Sequence, residues 1–189
     1  MDKINHFSKV PEDRTAVDNI LRVNHGNQMR LNLMADAKAN IMITVASVVF
    51  SVAIANLDNE LVKWPLLTFA FGCFFALLFA IFAIIPKTDY PKDVTGDIDR
   101  KSPLFNPLFF GHFAHLPIEE YKEDYAETLM TDDSVYDAMA GDIYGQGKVL
   151  ALRKYKFLKW SYMSFLLGMI SAIIVFVLQS PFGDVIFDG

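Results

Sequence analysis

The sequence has almost no cysteine. Cys73 stands alone among 189 residues, so neither a disulfide framework nor a thiolate metal cluster is available. Positive charge is not in excess either. The net charge is −5, which argues against broad nucleic-acid binding. A Gly-rich phosphate loop is missing, and so is a serine or cysteine nucleophile motif. Nothing argues positively for an enzyme, and no cofactor or metal is expected. The first 38 residues are polar and charged, with no apolar run near the start, so no cleavable signal peptide is expected. The most telling lack is local. Residues 39–57, 64–85 and 160–183 contain no Asp, Glu, Lys, Arg or His, in windows of 19, 22 and 24 residues. A helix of about 20 residues crosses a bilayer core. Buried helices of that length in soluble proteins normally carry polar stripes. These windows therefore predict an all-α membrane protein with three transmembrane helices and a small helical cytoplasmic part.

Counting Lys and Arg orients the chain. Residues 1–38 hold six, the loop 58–63 holds one, residues 87–159 hold ten, and the tail 184–189 holds none. An amino terminus inside places 16 of the 17 positive charges in the cytoplasm, as the positive-inside rule requires. The expected organisation is a cytoplasmic helix at 1–38, spans at 39–57 and 64–85, a cytoplasmic region at 86–159, a third span at 160–182 and a periplasmic tail at 183–189. Trp64, Trp160 and Tyr162 fall at span ends, where aromatic belts lie. Arg153 and Lys154 read as membrane-surface anchors.

A helix is expected from about Pro11 straight into the first span. Thr15 and Asp18 resemble a capping box, and Val17, Ile20, Leu21, Leu31 and Ala35 share one face. The polar break Asn24-His25-Gly26-Asn27-Gln28 is either a hinge or a contact patch, and a solvated kink is the plainer reading. Five prolines between Pro86 and Pro117 exclude a long helix there. That segment is nevertheless too rich in Phe for a disordered linker. Pro117, followed by Glu119 and Glu120, predicts a helix start and a helix to about Met130. Thr131 or Asp132 then caps a last helix, kinked near Gly141, Gly145 and Gly147, that continues into the third span.

Chemistry-bearing patterns are sparse. His112 and His115 are three apart, but zinc wants at least three protein ligands. Asp132, Asp133 and Asp137 cluster where a helix cap belongs. Within the spans, small residues recur every four positions: Ser47, Ser51 and Ala55, then Gly72, Ala76 and Ala80, then Ser164, Gly168 and Ala172. Such faces allow close helix approach in lipid, within one chain or between copies. A polar row of Asn32, Asp36, Asn40, Thr44 (or Ser47) and Ser51 descends the first helix. Asp36, Asn40, Ser47, Ser51, Gly72 and Gly168 are the candidates for assembly into a homo-oligomer, with Asp36 and Asn40 at the membrane entry facing a partner or water.

Three phrases follow one another along the chain. Met34-Ala35-Asp36-Ala37-Lys38-Ala39-Asn40 leads into the first span. Asn106-Pro107-Leu108-Phe109-Phe110-Gly111-His112-Phe113 is followed by Ile118-Glu119-Glu120-Tyr121. Leu152 and Lys154-Tyr155 lead into the last span. Over about residues 20–180 this order resembles the small membrane effectors of Pycsar, the bacterial pyrimidine cyclase anti-phage system. The resemblance implies a partner pyrimidine cyclase that makes cyclic CMP or cyclic UMP upon infection. It also implies an effector that senses the nucleotide and impairs inner-membrane integrity, giving abortive infection. Such a ligand calls for a cation for its phosphodiester, an aromatic face for the base and an amide for its edge. Arg100, Lys101, Asn106, Phe109, Phe110 and His112 supply these types in one stretch. Two other readings stand beside it. One is a ligand-independent membrane toxin or scaffold controlled by a partner protein. The other is a membrane-anchored hydrolase using His112, His115 and an acid.

Overall fold

The computed structural model describes residues 15–86, 91–92, 96–102 and 104–179. The expected helix onset at Pro11 and the tail 183–189 lie outside these residues. The described elements are α1 (Thr15–Ala55), α2 (Lys63–Ile84), α3 (Phe110–Phe113), α4 (Ile118–Thr128), α5 (Asp132–Val149), a π-helical turn (Leu150–Lys154) and α6 (Tyr155–Gln179). Among the described residues the only β pairing is an isolated bridge between Lys92 and Ile98. Three helices are long and apolar enough to cross a membrane: α1, α2 and the continuous helix Asp132–Gln179. The chain is thus an all-α protein with three membrane-spanning helices.

The chain divides into two compact units, one from Met1–Leu31 with Pro86–Val149, the other from Asn32–Ile85 with Leu150–Gly189. In the second unit, packing depends on small residues. Hydrocarbon offers no hydrophobic drive between helices, so they associate through close backbone contact and hydrogen bonds. Gly72 and Gly168 face each other across α2 and α6. A Cβ built on Gly72 would stand 2.5 Å from the Gly168 Cα, and one on Gly168 would stand 2.7 Å from the Gly72 Cα. Ser161 Oγ donates to the Ala76 carbonyl at 2.6 Å, wholly buried. Cys73, Ala76 and Ala80 pack with Met42 and Ala46 of α1, while Ala39, Ala83 and Leu158 form a second cluster. The buried stripe of α1 is Ala35, Ala39, Met42, Ala46 and Ala53. Ser51 and Ala55 lie on its exposed side, and Ser47 is half-buried. Exposed apolar side chains such as Val48, Phe71, Leu167 and Ile173 cover the outside of this unit, as lipid requires.

In the first unit, α4 and α5 follow the local signals. Pro117 stands at the N-cap of α4, and the helix ends at Thr128. Thr131 caps α5, its Oγ1 accepting from the Ser134 amide at 3.2 Å. Tyr136 on α5 is buried and donates to Asp18 of α1 at 2.8 Å. Two sequence expectations change. Residues 24–28 remain helical within α1. Asn24, His25 and Gln28 turn toward α5, which makes the polar break a contact patch. The irregularity expected at the α5 glycines falls instead on Leu150–Lys154, where the helix widens to a π turn. Glycine weakens a helix without breaking it, whereas π turns commonly mark functional positions inside long helices.

Gly168→Ala tests the close approach. Its added methyl meets backbone and has no room to relax, so it should cost about 1–3 kcal/mol. Gly26, where a Cβ would meet nothing within 4 Å, is the counterpart. Gly26→Ala should gain up to about 1 kcal/mol from helix propensity. Thermal unfolding of detergent-solubilised protein should rank Gly26→Ala above the parent and Gly168→Ala below it. Equal stability of Gly168→Ala and parent would contradict the packing described.

Candidate functional site

The expected ligand-contact stretch has its strongest cation already engaged. Arg100 Nε and Nη2 donate to the two oxygens of Asp124 at 2.9 and 2.7 Å. Nη1 reaches Glu120 at 3.1 Å and Nη2 reaches Glu123 at 3.3 Å. Glu120, Glu123 and Asp124 sit at i, i+3 and i+4 on α4, so one helix face offers three carboxylates to one guanidinium. These bonds, Asp124 foremost, hold the guanidinium proton more firmly than usual. The cluster is net negative and fastens the segment around Arg100 to α4. Lys101 beside it is exposed, its amide N–H donating to Asp99 at 3.1 Å.

Asn106 and His112 form a second knot. The Asn106 amide N–H donates to His112 Nδ1 at 3.0 Å, and its Nδ2 donates to the Ala138 carbonyl of α5 at 2.7 Å. Asn106 Oδ1 accepts from the Leu108 amide at 2.9 Å. His112 is therefore an acceptor at Nδ1, which places its proton on Nε2. Phe105 stacks on the His112 ring at 5.8 Å and Phe109 meets it edge-on at 4.9 Å. Gly111 makes this fold possible, because a Cβ there would stand 2.7 Å from the Phe109 ring. Both polar residues are buried, and burial lowers the His112 pKa. Of the six expected contacts, Lys101 and Phe110 remain exposed, while Arg100, Asn106, Phe109 and His112 hold the segment itself together.

The same unit contains two clefts beside α5. The larger, about 500 Å³, lies between α1 and α5 and is lined by Leu21, Asn24 and Gln28 on one wall and by Ile143, Tyr144, Gly147 and Lys148 on the other. The Lys148 ammonium stands 6.0 Å from the centre of the Tyr144 ring. Gln28 lies over Gly147, whose absent side chain leaves 3.6 Å between a notional Cβ and Gln28 Nε2. The smaller cleft, about 350 Å³, is lined largely by apolar groups together with His25 and Asp142. Asp142 is buried. Gln146 Nε2 donates to its Oδ2 at 2.7 Å, and His25 Nε2 lies 3.4 Å from the same oxygen. Burial pushes the Asp142 pKa up, against the opposing pull of His25 and Gln146. The sequence marked Asn24–Gln28 as a polar patch but held no local sign that Tyr144, Gly147 and Lys148 would stand opposite.

In the membrane-spanning unit, Asp36 and Lys154 form an ion pair at 2.6 Å, with Lys154 mostly buried. Lys154 lies in the π turn, so this ammonium is bound to α1 and does not reach out as a surface anchor. Of the remaining assembly candidates, Gly72 and Gly168 serve the contact of α2 with α6, and Asn40 and Ser51 stay exposed.

A family model described as the Pycsar effector protein domain matches residues 19–179. No curated protein and no solved structure shows a significant match.

The His112 knot carries a pH dependence whose sign follows from its geometry. The folded ring is held neutral below the usual pKa of 6.5, whereas the unfolded ring takes a proton near that value. A proton on Nδ1 would face the Asn106 N–H. The stability that His112 provides is therefore fully present above about pH 6.5 and is lost as pH falls below it. In thermal unfolding between pH 8 and pH 5, the gap between parent and His112→Ala should narrow toward pH 5. A gap that stays constant would contradict the neutral, bonded ring.

Proposed function

Because the chain belongs to the Pycsar effector family, whose domain covers residues 19–179, we propose that it is an anti-phage effector of the bacterial inner membrane that responds to a cyclic pyrimidine nucleotide. Cyclic CMP or cyclic UMP from a partner pyrimidine cyclase is the signal, and loss of membrane integrity is the response. The family match, together with three helices able to span a bilayer, is the observation that carries this reading. The charge distribution supports an amino terminus in the cytoplasm and a carboxyl terminus in the periplasm. That orientation presents the polar unit to a nucleotide made inside the cell. The residues also suit an effector better than a hydrolase, since His112 is buried in its own knot with Nδ1 occupied.

A reporter active only in the periplasm and fused after Gly189 should be active, and silence there would overturn the orientation. Function is tested by inducing the protein in cells with and without a cyclase that makes one pyrimidine nucleotide. Membrane potential, read with a voltage-sensitive dye, should collapse only when both proteins are present. Equal collapse without the cyclase would replace this account with that of a ligand-independent toxin or scaffold held by a partner protein.

A further inference from the structure

We propose that the cleft between α1 and α5 is the seat of the nucleotide, an assignment that rests on the reading of the chain as a nucleotide-responsive effector. A cyclic mononucleotide presents one anionic phosphodiester, a ribose and a small flat base. The cleft offers one group for each. Lys148 supplies a cation for the phosphodiester. Tyr144, 69% of whose surface is exposed on the α5 wall, supplies a face for the base. Asn24 and Gln28 supply carboxamides, which donate and accept and so can read a pyrimidine edge or a ribose hydroxyl. Neither carboxamide has a hydrogen-bond partner among the described residues. The volume, about 500 Å³, falls within the range of about 300–1,000 Å³ typical of small-molecule sites.

The other places in this unit suit an anion less well. Around Arg100, three carboxylates surround one guanidinium, so an arriving phosphodiester meets net negative charge. Asn106 is already bonded through its backbone N–H, Nδ2 and Oδ1, and His112 is bonded at Nδ1. The smaller cleft sets the Asp142 carboxyl where the phosphate would go, and its His25 faces that same carboxyl. Gly147 has a part in the larger cleft. A side chain there would enter the space beneath Gln28, whereas at Gly145, two residues earlier, a Cβ meets nothing within 4 Å. Occupancy of the cleft would join α1 to α5. Each of these helices continues without a loop into a membrane span, α5 through the π turn. A ligand that binds one arrangement of the two helices better than another shifts the population toward it.

The test is equilibrium dialysis of the full-length protein in lipid nanodiscs with labelled cyclic CMP, cyclic UMP, cyclic AMP and cyclic GMP. The parent should bind a pyrimidine nucleotide in preference to the purines. Tyr144→Ala and Lys148→Gln, both at exposed positions that the fold does not need, should each weaken binding by about tenfold or more. Gly147→Trp should abolish binding, and Gly145→Ala should leave it unchanged. Lys101→Ala and Phe110→Ala, in the Phe-rich segment, should bind like the parent. If instead these two lose binding while Tyr144→Ala and Lys148→Gln retain it, the cleft is not the seat, and the effector reading stands without it. If the parent binds neither pyrimidine nucleotide, the effector reading itself fails.

Discussion

Hydrocarbon cannot hydrate a backbone, and it does not push apolar helices together. A bundle of three helices in lipid must therefore hold itself by contact at atomic range. Here that contact is the meeting of Gly72 with Gly168, where neither residue has room for a β-carbon. The Ser161 hydroxyl bonded to the Ala76 carbonyl and the alanine stripe of α1 extend the same logic along the bundle. Many of the Phe, Val, Ile and Leu side chains are left for the outer surface. A single subunit packed this way fills its own centre with side chains. A water-filled path would then need several copies, and the exposed Ser51 face of α1 is a candidate for their contact.

The polar unit reaches order by another route, since the described residues of its Pro-rich segment have little regular structure of their own. Arg100 draws that segment onto α4, Asn106 fastens it to α5, and the His112 ring closes the knot. These groups combine charge, amide and aromatic chemistry, the same combination that a nucleotide site requires. Their bonds are directed inward. The distinction matters for function, because a guanidinium among three carboxylates offers little to a fourth anion, while an ammonium beside an exposed tyrosine still can. The Asp36–Lys154 pair sets similar order in the membrane-spanning unit, within the one stretch where the long third helix departs from α geometry.

Much of this was legible in the sequence, for physical reasons. Charge-free windows of 19 to 24 residues specify spans because charge at bilayer depth is costly. Pro117 and Thr131 mark their helices because capping is local. Recognition of the family rested on phrases whose order, and not only whose composition, is distinctive. Long-range pairing was not legible. Periodicity proposed Ser47, Ser51 and Ala55 as a packing row of α1, but the buried stripe is Ala35, Ala39, Met42, Ala46 and Ala53. Both rows are rich in small residues, and only the neighbouring helices decide between them. Arg100 read as a free cation because its acids lie 20 to 24 residues further along. Asn24 and Gln28 read as a solvated kink because Tyr144 and Lys148 are more than a hundred residues distant in the chain.

On the proposed function, a cyclic pyrimidine nucleotide converts this bundle from a silent to a membrane-damaging state. The most direct measurement of that conversion is dye release from vesicles that contain only lipid and the purified protein, with nucleotide added on the side of the polar unit. If the nucleotide triggers the damage, vesicles stay tight without it, release dye with cyclic CMP or cyclic UMP, and release none with cyclic AMP or cyclic GMP. Release that is the same with and without nucleotide, or none with either pyrimidine nucleotide, would contradict the proposed function.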